Sequence, residues 1–146
     1  MFKTYLQMPL EDLFTNILLE TRQISDGIQK ADVFASAMER ACYLRDLAML
    51  SGNRWIDTDS LRNLDPLIEL FRKELDVETI AVVPVFHGHN EPDLGAVGWV
   101  EECRELTDRG KTMSSMLQSL RRLRCMIEVA DARVKAENFV NRRLQV

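Results

Sequence analysis

His87 and His89 are the only histidines in the chain, and Glu91 and Asp93 continue the two-residue spacing. On an extended strand, alternate residues share one face. The pattern predicts that His87, His89 and Glu91 can converge on a metal such as zinc or iron, through two imidazole nitrogens and a carboxylate. No third histidine exists, so carboxylates must supply any further ligand. The competing expectation is a polar loop with solvent-facing histidines. His87 also offers a general base for a thiol nucleophile, with Cys103 and Cys125 as the thiols. Both cysteines read more simply as small core residues at helical positions.

A second chemistry-bearing set lies near the C-terminus. Residues 1–110 hold 11 basic and 20 acidic side chains, a net of -9, while residues 111–146 hold 8 and 3, a net of +5. Arg121, Arg122, Arg124, Lys135 and Arg142 are the candidate nucleic-acid contacts in that basic segment. Glu128 and Asp131 interrupt the basic face, and no aromatics interleave with the arginines, which a phosphate-tracking helix would prefer. The equal expectation is that the basic tail packs on an acidic body, of its own chain or of another.

Cofactor chemistry has no foothold. Gly95-Ala96-Val97-Gly98 is too short for a phosphate-binding fingerprint, and neither GxGxxG nor GxxxxGK[ST] occurs. Cys42, Cys103 and Cys125 form no CxxC pair, so they read as reduced thiols of a cytoplasmic protein, serving as small core residues. No apolar run approaches the roughly 20 residues of a membrane span, and the first residues do not read as a signal peptide. No cofactor and no membrane contact are therefore expected.

The elements that must position these residues are mostly helical. Leu10, Leu13, Phe14, Ile17, Thr21, Ile24 and Ile28 form a stripe at spacings of three and four, starting after Pro9. A second stripe runs from Ala31 and Phe34 to Leu47 and Ala48 and stops at Ser51-Gly52-Asn53. A continuous rod over 9–50 would be about 63 Å long, against a domain diameter of about 38 Å. Ser25-Asp26-Gly27 is the weakest helical point, so the break is expected there. Trp55 anchors a loop over Asn53–Asp59. Asp65-Pro66 opens a helix of about ten residues. Val77–Phe86 reads as a strand, with Pro84 limited to an edge, an end or a bulge. His87–Gly95 reads as turn-rich. Trp99, Cys103 and Leu106 favour a helix over 99–109, ending at Gly110, with 94–98 open.

The last helix, about 113–143, carries the functional expectation. Met113, Met116, Leu120, Leu123, Ile127, Ala130 and Val134 form one apolar line. Met126, Val129, Ala136, Val140 and Leu144 form a second on the opposite side. A helix apolar on two faces, and about 46 Å long, is most simply buried between two bodies.

With 146 residues, 46% hydrophobic and 29% charged, the chain suits one ordinary domain that needs no staple. The expected fold is mostly α: a four- or five-helix bundle over 1–146, with one strand or a small β-hairpin near 77–100. The expected function is a non-enzymatic protein–protein interaction module, a small regulator, adaptor or inhibitor, assembling through its C-terminal helix with itself or another protein. Nucleic-acid binding through the basic helix is the alternative, and a metal-dependent enzyme centred on His87 and His89 is the second alternative.

Overall fold

The computed structural model describes residues 2–52, 58–78 and 80–144. Among these, the chain forms α1 (Phe2–Gln7), α2 (Leu10–Lys30), α3 (Ala37–Gly52), a short 3-10 helix (Thr58–Asn63), α4 (Asp65–Glu78), β1 (Ile80–Glu91), β2 (Gly95–Leu106) and α5 (Asp108–Leu144). The mostly α fold with a β-hairpin follows the sequence expectation. Trp55 and most of its expected loop lie outside the described residues.

The α2 stripe is the core face: Leu13, Ile17, Thr21, Ile24 and Ile28 are all buried. Glu11 and Asp12 stand in the first turn, where the helix dipole favours acids. The expected break at Ser25-Asp26-Gly27 does not occur. α2 runs on to Lys30, and the chain turns at Ala31 with ψ 138°. The reason is tertiary. A Cβ on Gly27 would lie 2.4 Å from Met116 Sδ on α5, so the missing side chain is the seat of a helix–helix contact. The actual turn is held by Arg40, which donates to the Ala31 carbonyl at 2.6 Å, and by Arg109, which donates to the Asp32 carbonyl at 2.7 Å.

α3 then starts on a reciprocal cap. The Glu39 amide donates to Ser36 Oγ at 3.1 Å, and the Ala35 amide donates to Glu39 Oε2 at 2.6 Å. Leu47 and Leu50 carry this helix into the core, while Met38 and Met49 stay exposed. Phe34, in the turn, stacks edge-on against Phe71 of α4 and packs on Tyr43 of α3.

α5 is the central helix. At 37 residues it is about 55 Å long. It packs chiefly between α2 and α4, with α1 and the 3-10 helix against it as well. This position explains its second apolar line. Met126 and Val129, expected at an interface with a partner, are 2% and 1% exposed and belong to the chain's own core. α5 also starts earlier than the sequence suggested. Thr107 Oγ1 accepts from the Gly110 amide at 3.0 Å, which makes Thr107 the cap and puts Gly110 inside the first turn rather than at a helix end.

The hairpin is longer than expected. Val77 belongs to α4, and β1 runs through His87–Glu91, read from sequence as turn. β2 replaces the helix expected over 99–109. Trp99 and Cys103 are four residues apart, a spacing that satisfies a strand face as well as a helical one. The turn between the strands is Pro92-Asp93-Leu94, with Gly95 at φ 74°. Proline presets the first turn position, and glycine accepts the left-handed one that closes a three-residue hairpin loop. Once β1 and β2 face each other, each satisfies the other's backbone groups, which an isolated helix over 99–109 would have had to cap alone.

Candidate functional site

β1 and β2 pair antiparallel over twelve positions each, from Ile80↔Leu106 to Glu91↔Gly95. At about 3.4 Å per residue the arm is about 40 Å long. It meets α4 and α5 only sparsely, and residues 88–102 are exposed throughout. Among the described residues no third strand joins it. Pro84 lacks an N–H, so its nitrogen must sit on the outer side of β1, away from β2. The outer edge of β2 holds no proline.

Register sorts the arm into two faces. One carries Phe86 and Val100, directly opposite each other, with Glu102 and Arg104. Next on that face toward the turn, Gly88 opposes Gly98 so closely that a Cβ on Gly88 would lie 2.1 Å from the Val97 carbonyl oxygen. Only glycine fits at that crossing. The other face carries Val83, Val85, His87, His89 and Glu91 against Val97, Trp99, Glu101, Cys103 and Glu105. His87 stacks on Trp99 with ring centroids 5.5 Å apart.

The strand does place His87, His89 and Glu91 on one face, as the spacing suggested. It does not gather them on one point. His89 Nε2 lies 2.6 Å from Glu91 Oε1, while His87 Nε2 lies 2.7 Å from Glu101 Oε2. Each imidazole is taken by a different carboxylate. The His87–Glu101 approach is close but lacks the alignment of a hydrogen bond. Among the described residues no group of three or more histidines, cysteines or acids can hold a metal. The thiol–imidazole pair fares no better. Cys103 opposes Val83 while His87 opposes Trp99, a separation of about 13 Å along the strand.

The basic segment is largely spent inside the chain. Arg122 reaches Glu20 of α2 at 3.3 Å. Arg124 reaches Asp65 of α4 at 2.9 Å and Glu128 at 2.5 Å. The hydrogen bond that Arg124 Nε donates to Asp65 is the largest cause that holds the guanidinium above its usual range. Lys135 pairs with Asp131 at 2.9 Å. Of the five expected nucleic-acid contacts, Arg121 and Arg142 alone meet no carboxylate among the described residues. Arg122 and Arg124 thus tie the first half of the basic segment to the chain's own acidic body, while its end from Lys135 on is exposed.

A second projecting element ends α5. From Lys135 to Leu144 every residue is exposed, a stretch of about 15 Å. Phe139, Val140 and Leu144 are 60%, 52% and 79% exposed. Ala136 stands on the same side as Val140, one turn earlier. Arg143 lies over the Phe139 ring, 5.2 Å from its centroid. Ala136, Val140 and Leu144, the outer half of the expected interface, are therefore accessible, while Met126 and Val129 are not.

Elsewhere, a small open cleft of about 260 Å³ between α1, α2 and α5 is closed across by the Arg122–Glu20 pair. Tyr5 lines it, and burial pushes the Tyr5 phenol above its usual range. Cys42 is exposed rather than packed, against expectation. Cys103 and Cys125 are half-buried, and desolvation raises the Cys125 thiol. No helix is long and apolar enough to cross a membrane among the described residues.

Comparison with protein-family models, with curated proteins and with solved structures finds no match. The functional reading therefore rests on the two projecting elements.

Proposed function

We propose that this chain is a non-enzymatic interaction module that meets a protein partner through its projecting arm and the free end of α5. One observation carries the reading. The arm exposes Phe86, Trp99 and Val100 at 50%, 66% and 62% along a hairpin that the helical body leaves uncovered. A two-stranded hairpin has little stability of its own in water. Its open edges invite strand pairing unless something covers or blunts them. Phe86 and Val100 form one exposed apolar patch, and Trp99 with Val97 forms a second on the opposite face. Such patches mark interaction sites more often than scattered single residues do. The free end of α5 supports the same reading. It costs little to extend a helix that is already nucleated, and Val140 and Leu144 gain nothing from the chain's own core.

The test is photo-cross-linking in the cells that make the protein. A photoreactive phenylalanine analogue replaces Trp99 in one variant and Val140 in another, with exposed Gln29 on α2 as the control. A discrete protein adduct, to another copy or to a foreign chain, is expected from Trp99 or Val140 and not from Gln29. Adducts from neither, with the variants folded and present at normal level, would overturn the interaction reading.

A further inference from the structure

The two projecting elements differ in charge and stand at opposite ends of α5. The arm joins the helix at Asp108, one residue beyond Thr107. The exposed end begins 27 residues later, about 40 Å along the axis. Between Ile80 and Leu106 the arm holds five carboxylates, Glu91, Asp93, Glu101, Glu102 and Glu105, against the single cation Arg104. The Trp99 face takes Glu91, Glu101 and Glu105 and, among its described residues, no lysine or arginine. The end of α5, from Lys135 on, holds Lys135, Arg142 and Arg143 against the single acid Glu137. Arg142 has no carboxylate partner among the described residues, and Arg143 covers only the Phe139 ring. Each element also presents apolar surface beside its charge: Val97 and Trp99 on the arm, Phe139, Val140 and Leu144 on the helix.

We propose that the occupant of the arm's Trp99 face is the basic end of α5 from a second copy of this chain. This rests on the interaction reading above and names its partner. Within one chain the two elements stand apart at the two ends of α5, so their complementarity is satisfied between copies. Phe139 and Val140 would cover Val97 and Trp99, while Arg142 and Arg143 meet Glu101 and Glu105. The contact is heterologous, because the surface offered differs from the surface received. Such contacts extend into open chains or close into rings. A ten-residue helix on a two-stranded arm is small beside the roughly 1,200–2,000 Å² of a stable interface. Association is therefore concentration-dependent. The charges place it under salt control.

The test is the mass of the purified full chain by sedimentation, from low-micromolar to near-millimolar concentration, at low and high salt. At low salt the average mass is expected to rise at least twofold above the 16.9 kDa monomer, and to fall back in high salt. Arg142→Glu/Arg143→Glu is expected to abolish the rise, and so is Glu101→Arg/Glu105→Arg. Mixing the two reversed variants should restore it. All four side chains are exposed, so folding should persist. Should circular dichroism show otherwise, Arg142→Gln/Arg143→Gln and Glu101→Gln/Glu105→Gln replace them, with the same losses expected. A wild-type chain that stays monomeric overturns the proposal. So does an association that one pair of substitutions abolishes and the other leaves intact, which would mean like surfaces meeting. A monomer that still gives a foreign adduct from Trp99 in the cross-linking experiment would overturn the self-partner alone and leave the interaction reading standing.

Discussion

Arg133, in the last third of α5, donates a 3.0 Å hydrogen bond to the carbonyl of Tyr5, 128 positions earlier in the chain. The same guanidinium nitrogen also bonds the Met8 carbonyl. These carbonyls close the end of α1, where a helix leaves acceptors unsatisfied and favours a cation. One side chain thus ties both ends of the described chain together. Arg133→Met keeps the apolar stem and removes the donors. It should cost about 1.5–3 kcal/mol, the range for hydrogen bonds to a charged group. Arg133→Lys should recover only part, since one ammonium cannot reproduce the planar fork. Urea unfolding at neutral pH reads both, and an unmoved midpoint for Arg133→Met would refute the tie.

Gly27 and Met116 form a second long-range pair. Gly27→Leu adds helix propensity to α2 but drives a side chain into Met116. Overpacking of this kind costs about 1–3 kcal/mol. Met116→Ala in the same chain should lower that cost, so the double variant is less destabilised than the sum of the single ones. A simply additive cycle would show that the two residues do not share the space.

The helical body should stand without the arm. Gly88→Val improves strand propensity yet collides with the Val97 carbonyl and with the Gly98 backbone. Amide exchange protection along β1 and β2 should be lost. The unfolding midpoint of the helices should move by no more than about 0.5 kcal/mol, because the arm opens as a local unit. A matching loss of stability in the helices would mean that arm and body unfold together.

The three thiols should separate by rate. Cys42 is exposed. Cys125 is half-buried, and desolvation lifts its thiol, so less thiolate is present near neutral pH. With a disulfide reagent in native buffer Cys42 should react first and Cys125 far more slowly. Cys42→Ser should delete the fast phase. A fast phase that survives in that variant would contradict the assignment.

Alkaline pH should weaken the fold through its two tyrosines. Burial is the largest cause that raises both Tyr5 and Tyr43 above the usual 10.0. The folded chain therefore holds its phenolic protons when the unfolded chain has begun to lose them. Stability from this source is whole below pH 10.0 and falls as pH rises beyond it. Tyr5→Phe should flatten part of that fall. An equal slope in the variant would remove Tyr5 as its source.

Much of the helical core was legible from residue spacing. Leu13, Ile17, Ile24 and Ile28 on α2, and Met113, Leu120, Leu123 and Ile127 on α5, recur at helical intervals and are buried as that rule requires. Two capping signals were legible but unread: Ser36-x-x-Glu39, which starts α3, and Thr107, which starts α5. The two-residue spacing of His87 and His89 suits a strand face, but 87–95 reads from sequence as turn, and only pairing with β2 extends β1 through them. The spacing does not fix where the side chains meet: His87 and Glu91 stand about 13 Å apart along the strand, and a different carboxylate lies beside each imidazole.

Periodicity by itself determined which residues turn away from water, because the α-helical repeat is a property of the backbone alone. It did not determine what covers them. Met126, Val129 and Val140 share the second apolar line of α5, yet α2, α4 and the rest of the body cover the first two and stop short of the third. Where the neighbouring helices end is set by tertiary packing, not by the line itself. The same holds for Gly27, a helix breaker by propensity that packing against Met116 kept inside a helix. It holds again for Trp99 and Cys103, whose spacing of four fits both a helix and a strand. There the choice fell to β1, the partner that the Pro92–Gly95 turn brought alongside.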